Sequence, residues 1–258
     1  MTTDRTWGEA APGGRLVAPE APPVPHPIMI HHWHHLTFLH WRYPAHVVQT
    51  LLPPGLDVET CDGSAWVGVV PFLMTGVRAP FTPPLPWLSR FPETNVRTYV
   101  RGPDGRSGIW FFSLDAARLP AVLAARAGFG LPYQWSDMTV RVTPDVGVYR
   151  SRRRGPGPAA RCDATVRWGA YLDETRLHPL DHFLTARFRL YSVLAGRLVA
   201  ANAAHKRWAL RRGELTYLRQ DVVQASGLPA PQGDPLVHTS PGVRVRIGMW
   251  HPVLTPAG

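Results

Sequence analysis

The chain of 258 residues contains almost no lysine: Lys206 is the one lysine among its 28 lysine and arginine residues. Catalysis through a Schiff base needs a lysine amine, so the sequence offers that chemistry a single candidate. Arg207 beside it would lower the pKa of this amine by charge repulsion, but the local sequence is more typical of a solvated loop. We therefore do not expect amine catalysis.

Other scarcities narrow the class of protein. Two cysteines, Cys61 and Cys162, form no CxxC motif, which predicts free thiols and a cytoplasmic location. No run reaches the roughly 18 apolar residues of a membrane-spanning helix, and we expect no signal peptide and no membrane partner. The net charge of +10 comes from dispersed arginines and indicates coding bias, so we expect no nucleic-acid partner. No pattern indicates a cofactor.

The order of predicted elements favours an α+β fold that is mostly antiparallel β. Residues 1–26 are rich in Pro, Ala and Gly and predict a disordered or loosely attached tail, followed by one domain over residues 27–252. That domain contains about ten predicted strands and three or four short helices without βαβ alternation. A curled sheet, closed as a barrel or packed as a sandwich with outer helices, buries such strands and commonly encloses a small-molecule pocket.

The most informative segment is a predicted β-hairpin. Its first strand is FPETNVRTYV (residues 91–100), its turn is GPDG (102–105), and its second strand covers residues 108–115. Side chains alternate between the faces of a strand, so Glu93, Asn95, Arg97 and Tyr99 share one face. Such a polar row either lines a pocket or forms a buried structural ion pair, and the sequence leaves both readings open.

In the pocket reading, each member of the row has a chemical role. Arg97 would bind a carboxylate through paired hydrogen bonds, and Glu93 would serve as general acid or base with a pKa raised by burial. Asn95 would polarise a carbonyl. Tyr99 and three residues of the partner strand complete the predicted substrate-binding set; these three are Trp110, Phe112 and Asp115.

Five histidines occur in the first predicted strand. By alternation, one face carries His32, His34 and His40, and the other carries His31 and His35. Histidines two residues apart on a strand can ligate zinc, but four of the five lie where ordered structure is expected to begin, so we predict no metal site. His40 is the best candidate for a hydrogen-bonding pocket residue, with a satisfied core histidine as the alternative.

Several motifs together resemble the YqjF-like family of bacterial proteins, a domain of unknown function. They are His40-Trp41, LLPPGL (51–56), DGSAWVG (62–68), FPETNVRTYV (91–100), WFFSLDA (110–116), FGLPY (129–133) and HFLT (182–185). The resemblance spans roughly residues 28–250. It implies a fold similar to acetoacetate decarboxylase, a twisted β-cone with outer helices, and by analogy a homo-oligomer.

The same resemblance implies where the decarboxylase chemistry would lie. By this resemblance, Glu93 takes the position of the active-site glutamate of acetoacetate decarboxylase. The Schiff-base lysine of that enzyme would correspond to a position near residues 113–116, where this chain has no lysine. We therefore predict a small-molecule pocket protein and an enzyme of lyase or hydratase type, which acts on a small oxo- or carboxylate-bearing substrate through Glu93 and Arg97. The alternatives are a non-catalytic ligand-binding or sensory protein and, with less support, a histidine-ligated metal protein.

Overall fold

The computed structural model describes residues 20–155 and 157–254. Residues 1–19, which make up most of the predicted tail, lie outside this range, and residues 20–26 contain neither helix nor strand. Strands dominate the described part, as the alternating apolar pattern predicts. In chain order they are β1 (Met29–Tyr43), β2 (Asp57–Val58), β3 (Ala65–Arg78), β4 (Arg90–Arg101), β5 (Ser107–Ala116), β6 (Tyr133–Val142), β7 (Val146–Arg153), β8 (Arg161–Tyr171), β9 (Arg189–Leu194), β10 (Arg197–His205), β11 (Arg211–Gln220), β12 (Leu236–Ile247) and β13 (His251–Pro252).

The helices of the described residues are few and short. They are α1 (Ala45–Gln49), α2 (Leu119–Phe129) and α3 (Pro179–Thr185), with 3₁₀ turns at Glu174–Arg176 and Gln224–Ser226. A proline opens α3 and a left-handed glycine, Gly130, ends α2. The sequence of residues 219–226 predicts a further short helix, but its first part is wrong, because β11 continues to Gln220 and the chain then makes only a short turn.

The strands form one mixed sheet that closes on itself. Pairing runs from β1 through β3, β4, β5, β9, β10 and β12 back to β1, which makes a cone-like ring of seven strands. Within the described residues, β5 pairs in parallel with β6 and β9, and all other pairings are antiparallel. Strands β6, β7, β8 and β11 extend the sheet beside this ring. The predicted class, a mostly antiparallel acetoacetate-decarboxylase-like β-cone with short outer helices, is confirmed.

The strands β1, β3 and β4 form a wall with two buried faces. One face packs against β7 and β8 through an apolar cluster that includes Leu39, Val67, Val96 and Tyr149. The other face looks into the seven-stranded ring, where the core is incompletely filled. Because both faces are buried, the hydrophobic pattern alone does not reveal which one is hollow.

The predicted hairpin of β4 and β5 is confirmed, but it contains a bulge. Arg97 pairs with Phe111 whereas the preceding residue, Val96, pairs with Ser113, so Phe112 is the extra residue. A bulge of this kind reverses the alternation of side chains along the strand. A second irregularity lies in β1, where His35 has a φ of 54° and the register with β3 shifts. Both irregularities change which residues face the ring interior.

Candidate functional site

A cavity of about 220 Å³ lies inside the seven-stranded ring and beneath α2. Its wall is largely apolar and comes from all seven strands of the ring, together with β6 and α2. Ala124 of α2 lines the cavity and is solvent-exposed, so the cavity opens beside this helix. An enclosed apolar pocket with a few polar groups is the usual form of a small-molecule site.

Three members of the predicted polar row reach this cavity. Glu93, Asn95 and Arg97 are all buried, and all three line the cavity wall. They are every second residue of β4 and share its inner face. Their partners on β3 are Phe72, Val70 and Gly68, respectively. The fourth member, Tyr99, is fully buried outside the cavity lining.

Glu93 is held as an uncharged acid. The Tyr133 hydroxyl donates to its Oε2 at 2.9 Å, and no cation forms an ion pair with it within the described residues. Burial away from water raises the pKa of Glu93 to about 8, although hydrogen bonds from Tyr133 and Asn95 oppose the shift. At neutral pH most of the carboxyl is therefore protonated and can donate a proton into the cavity.

Three arginines line the cavity, and they differ in how their charge is balanced. Arg187 pairs with Glu59 at 2.5 Å and Arg189 pairs with Asp104 of the hairpin turn at 2.7 Å. Arg97 has no carboxylate within ion-pairing distance among residues 20–155 and 157–254. Its Nη2 donates to the Leu184 carbonyl at 3.3 Å, and its Nε has no hydrogen-bond partner in the described part of the chain. A buried guanidinium without a counter-charge is costly unless a bound anion balances it.

The predicted ligand-binding residues His40 and Tyr99 lie behind Arg97 instead of lining the cavity. His40 Nε2 contacts the Tyr99 hydroxyl at 2.6 Å, and that hydroxyl donates to the Leu184 carbonyl at 2.7 Å. Burial lowers the pKa of His40 well below its usual value, so the ring is neutral. Gly68 makes this contact sterically feasible, since a Cβ there would stand 2.9 Å from the imidazole. The pair supports the position of Arg97.

The other three predicted binding residues also lie outside the cavity lining. Trp110 packs with the cluster around Tyr191. Phe112 packs against the filled side of the wall, and Asp115 pairs with Arg153 at 3.0 Å. The bulge at Phe112 accounts for the inward-facing residues of β5, because Phe111 lies opposite Arg97 and Leu114 opposite Asn95, and both line the cavity although they are three residues apart.

Residues that the sequence analysis did not assign to a site also line the cavity: His31, Trp33, Tyr133, Arg187, Arg189, His205 and Trp208. The sequence of residues 179–187 predicts a helix that includes Arg187, but α3 ends at Thr185 and both arginines line the cavity. The alternation of Arg187 and Arg189 about Phe188 was an available signal for a shared face. The His35 irregularity places His31, Trp33 and Leu36 together on the cavity wall, which the simple alternation of the histidines did not predict.

Neither a lysine for Schiff-base catalysis nor a set of metal ligands is found at a suitable position in the described part of the chain. Lys206 is exposed and does not line the cavity, so the pocket wall contains no lysine amine. No group of three or more His, Cys, Asp or Glu side chains is arranged to hold a metal ion within residues 20–155 and 157–254.

Across these same ranges, no helix is both long and apolar enough to cross a membrane.

The ring of strands around a pocket is an architecture that solved structures share. The fold is similar to that of acetoacetate decarboxylase from Legionella pneumophila, with a TM-score of 0.67 and 12% identity over 96% of this chain and 94% of that chain. An acetoacetate decarboxylase-like enzyme from Sphingomonas wittichii RW1 is similar at a TM-score of 0.62, with 14% identity over 98% of this chain and 100% of that chain. The enduracididine biosynthesis enzyme MppR, solved with pyruvate, also has a TM-score of 0.62, with 16% identity over 90% and 92% of the two chains. At these identities the likeness establishes the fold alone.

Within this fold class, sequence comparison identifies the family. Residues 31–244 match DUF2071, described as an uncharacterized conserved protein. The chain is also 36% identical over 211 residues to the uncharacterized protein YqjF of Bacillus subtilis (strain 168), covering 82% of this chain and 86% of that protein. The chain therefore belongs to the DUF2071 family.

Proposed function

We propose that the cavity binds a small carboxylate through Arg97 and that Glu93 transfers a proton to and from the bound molecule. The observation that carries this proposal is the buried Arg97 guanidinium, which lines the cavity and has no carboxylate partner within the described residues. A substrate carboxylate would supply the missing negative charge and accept hydrogen bonds from the guanidinium. Asn95 lies between the two residues on β4, and its buried Oδ1 has no hydrogen-bond partner among the residues that the structure describes.

The protonation state of Glu93 favours chemistry that begins with proton donation. A protonated carboxyl next to an apolar wall is suited to general acid catalysis near neutral pH. In the dehydration of a 3-hydroxy acid, Glu93 would protonate the leaving hydroxyl while the C–O bond breaks. The resulting carboxylate would then accept the proton from the neighbouring carbon as the C=C bond forms. Water leaves, and Glu93 ends protonated as it began.

The reaction class is of the lyase or hydratase type, and it uses no covalent intermediate on an amine. The exposure of Lys206 supports this choice, because a Schiff base would need an amine within the cavity. The cytoplasmic location and the assembly into a homo-oligomer stay predictions, which fractionation and sedimentation measurements would test.

Hydrogen exchange at carbon tests the proposed chemistry directly. We expect the wild-type protein, incubated with 3-hydroxybutanoate or but-2-enoate in D₂O, to incorporate deuterium at the carbon next to the carboxylate or to interconvert the two acids. Proton NMR measures both events. The Glu93→Gln variant should lose this activity by at least about a hundredfold, the lower range for removal of a general acid or base.

The surface variant Glu214→Gln serves as the control, because Glu214 is an exposed carboxyl paired with Arg167. It should retain full activity. Binding of these acids without exchange or turnover would instead support the ligand-binding alternative, in which the bound molecule is released unchanged. Activity that survives in Glu93→Gln would contradict the role given to Glu93.

A further inference from the structure

One part of the cavity wall is built from stacked aromatic rings. Trp33 and Trp208 stack with centroids 5.9 Å apart and planes 9° from parallel. His205 lies 4.7 Å from Trp208, and His31 stacks on Trp33 at 5.4 Å. All four residues line the cavity. We call these four residues the aromatic group.

The aromatic group is uncharged at neutral pH. Burial lowers the pKa of His31 to about 3 and that of His205 to about 4, so both imidazoles are neutral. The Trp208 indole N–H already donates to the Thr185 carbonyl at 2.9 Å, so it is not available to hydrogen-bond a ligand. Flat, neutral rings of this kind favour another planar ring through offset or edge-to-face contact.

Polar atoms in the aromatic group lack protein partners. Both ring nitrogens of His31 and the indole nitrogen of Trp33 are buried with no hydrogen-bond partner within the described residues. Buried polar groups in folded proteins are almost always hydrogen-bonded, to protein, water or ligand. His31 is 2% exposed and lines the cavity, so a hydrogen-bonding group on the ligand would satisfy it.

The strand register orders the aromatic group and the polar row along one wall. Trp33 on β1 pairs with Met74 on β3, and Met74 pairs with Phe91 on β4. Phe91 is thus the β4 residue at the height of Trp33. Glu93 lies two residues beyond Phe91 on β4, and Arg97 lies a further four residues along. Along β4, Glu93 therefore lies nearer to the aromatic group than Arg97 does, and the long Arg97 side chain reaches the same cavity.

The cavity size fits a molecule of this shape. A cavity of roughly 150 Å³ holds one benzene molecule, and this one measures about 220 Å³. Arg97 lies 5.4 Å from the Phe38 ring, and Phe38 lies 5.4 Å from Trp208, so a single side chain separates the cation from the aromatic group. The cavity volume therefore suits one ring joined to an acid by a short chain.

From the aromatic group, the orphaned His31 and the order along β4, we propose that the ligand is an aromatic carboxylic acid. Its ring lies against Trp33 and Trp208, and its carboxylate lies on Arg97. This inference rests on the proposed function, because it places the acid group at the same arginine. It adds the substrate class, which is set by Trp33 as a specificity-determining residue.

A series of ligands with equal charge tests the inference. We expect calorimetry at pH 7 to give 3-phenylpropanoate an affinity about three- to tenfold higher than 3-cyclohexylpropanoate and hexanoate, since aromatic pairs add stabilisation beyond area burial. The Trp33→Leu variant should lose this preference while still binding hexanoate. The Trp33→Phe variant, which keeps a ring, should retain most of the preference and guards against a folding defect.

The outcomes separate this inference from the proposed function. Equal binding of the phenyl, cyclohexyl and linear acids by the wild type would overturn the aromatic assignment, as would an unchanged phenyl preference in a folded Trp33→Leu variant. Equal binding of 3-phenylpropanoate and its neutral amide would overturn the proposed function and the acid part of the inference together.

Discussion

Replacing Arg97 with methionine should lower the affinity for 3-phenylpropanoate by at least about thirtyfold and leave the affinity for its amide unchanged. The reason is that truncating one partner of a buried charge pair costs roughly 2 to 5 kcal/mol of binding free energy. The amide carries no charge for Arg97 to balance, so its affinity comes from the apolar wall. Calorimetric titration of both compounds, with wild type and variant, measures the two effects.

The same substitution should not lower the free energy of unfolding in the absence of ligand. Arg97 is 7% exposed and has no carboxylate partner within the described residues, so the empty protein bears the cost of desolvating its charge. Methionine fills a similar volume without that cost. Arg219→Met is the matched control, because Arg219 is exposed and the change in net charge is the same. A tenfold loss of acid affinity in this control, or a large loss of stability in Arg97→Met, would contradict the account of Arg97.

Replacing Glu93 with glutamine should remove a pH dependence from the stability of the protein. The pKa of Glu93 is about 8 in the folded state against 4.5 for a free glutamate. Between these values the folded state keeps a proton that the unfolded chain has released, so wild-type stability falls as pH rises, by up to roughly 1.4 kcal/mol per pH unit. Below about pH 4.5 the Glu93 carboxyl is protonated in both the folded and the unfolded state, so this loss of stability vanishes. Glutamine mimics the neutral acid at every pH.

Denaturant unfolding at several pH values measures this effect. We expect Glu93→Gln to be more stable than wild type at pH 8, with a difference that shrinks steadily as pH falls towards 4.5. His31, His40 and His205 have lowered pKa values and also make stability depend on pH, but they are present in both proteins and cancel in the difference. A constant difference across this range would mean that Glu93 is ionised in the folded protein.

Local sequence patterns predicted the hairpin, and the resemblance predicted the fold class. The charged and amide side chains of residues 91–100 occupy alternate positions, and a turn sequence follows them. As predicted, these residues lie within the strand β4. Glu93, Asn95 and Arg97 then share a face because alternation is a property of the strand itself. This part of the site depends on neighbouring residues alone and is therefore readable from the sequence.

The remainder of the cavity wall depends on features that neighbouring residues do not encode. The bulge at Phe112 changes the faces of β5 and groups Phe111 with Leu114 on the cavity wall. The left-handed His35 does the same in β1 and groups His31 with Leu36. The charges of Arg187 and Arg189 are balanced by Glu59 and Asp104, which are distant in sequence. Long-range pairing decides which of the three cavity arginines has no carboxylate partner among the described residues, and only the folded chain shows that it is Arg97.

A crystal structure of the protein grown with 3-phenylpropanoate tests the central claim most directly. The account predicts the acid inside the seven-stranded ring, with a carboxylate oxygen about 2.7 to 2.9 Å from an Arg97 nitrogen, as expected for a charge-assisted hydrogen bond. An acid bound elsewhere, or an Arg97 guanidinium turned onto a protein carboxylate in a collapsed cavity, would contradict it.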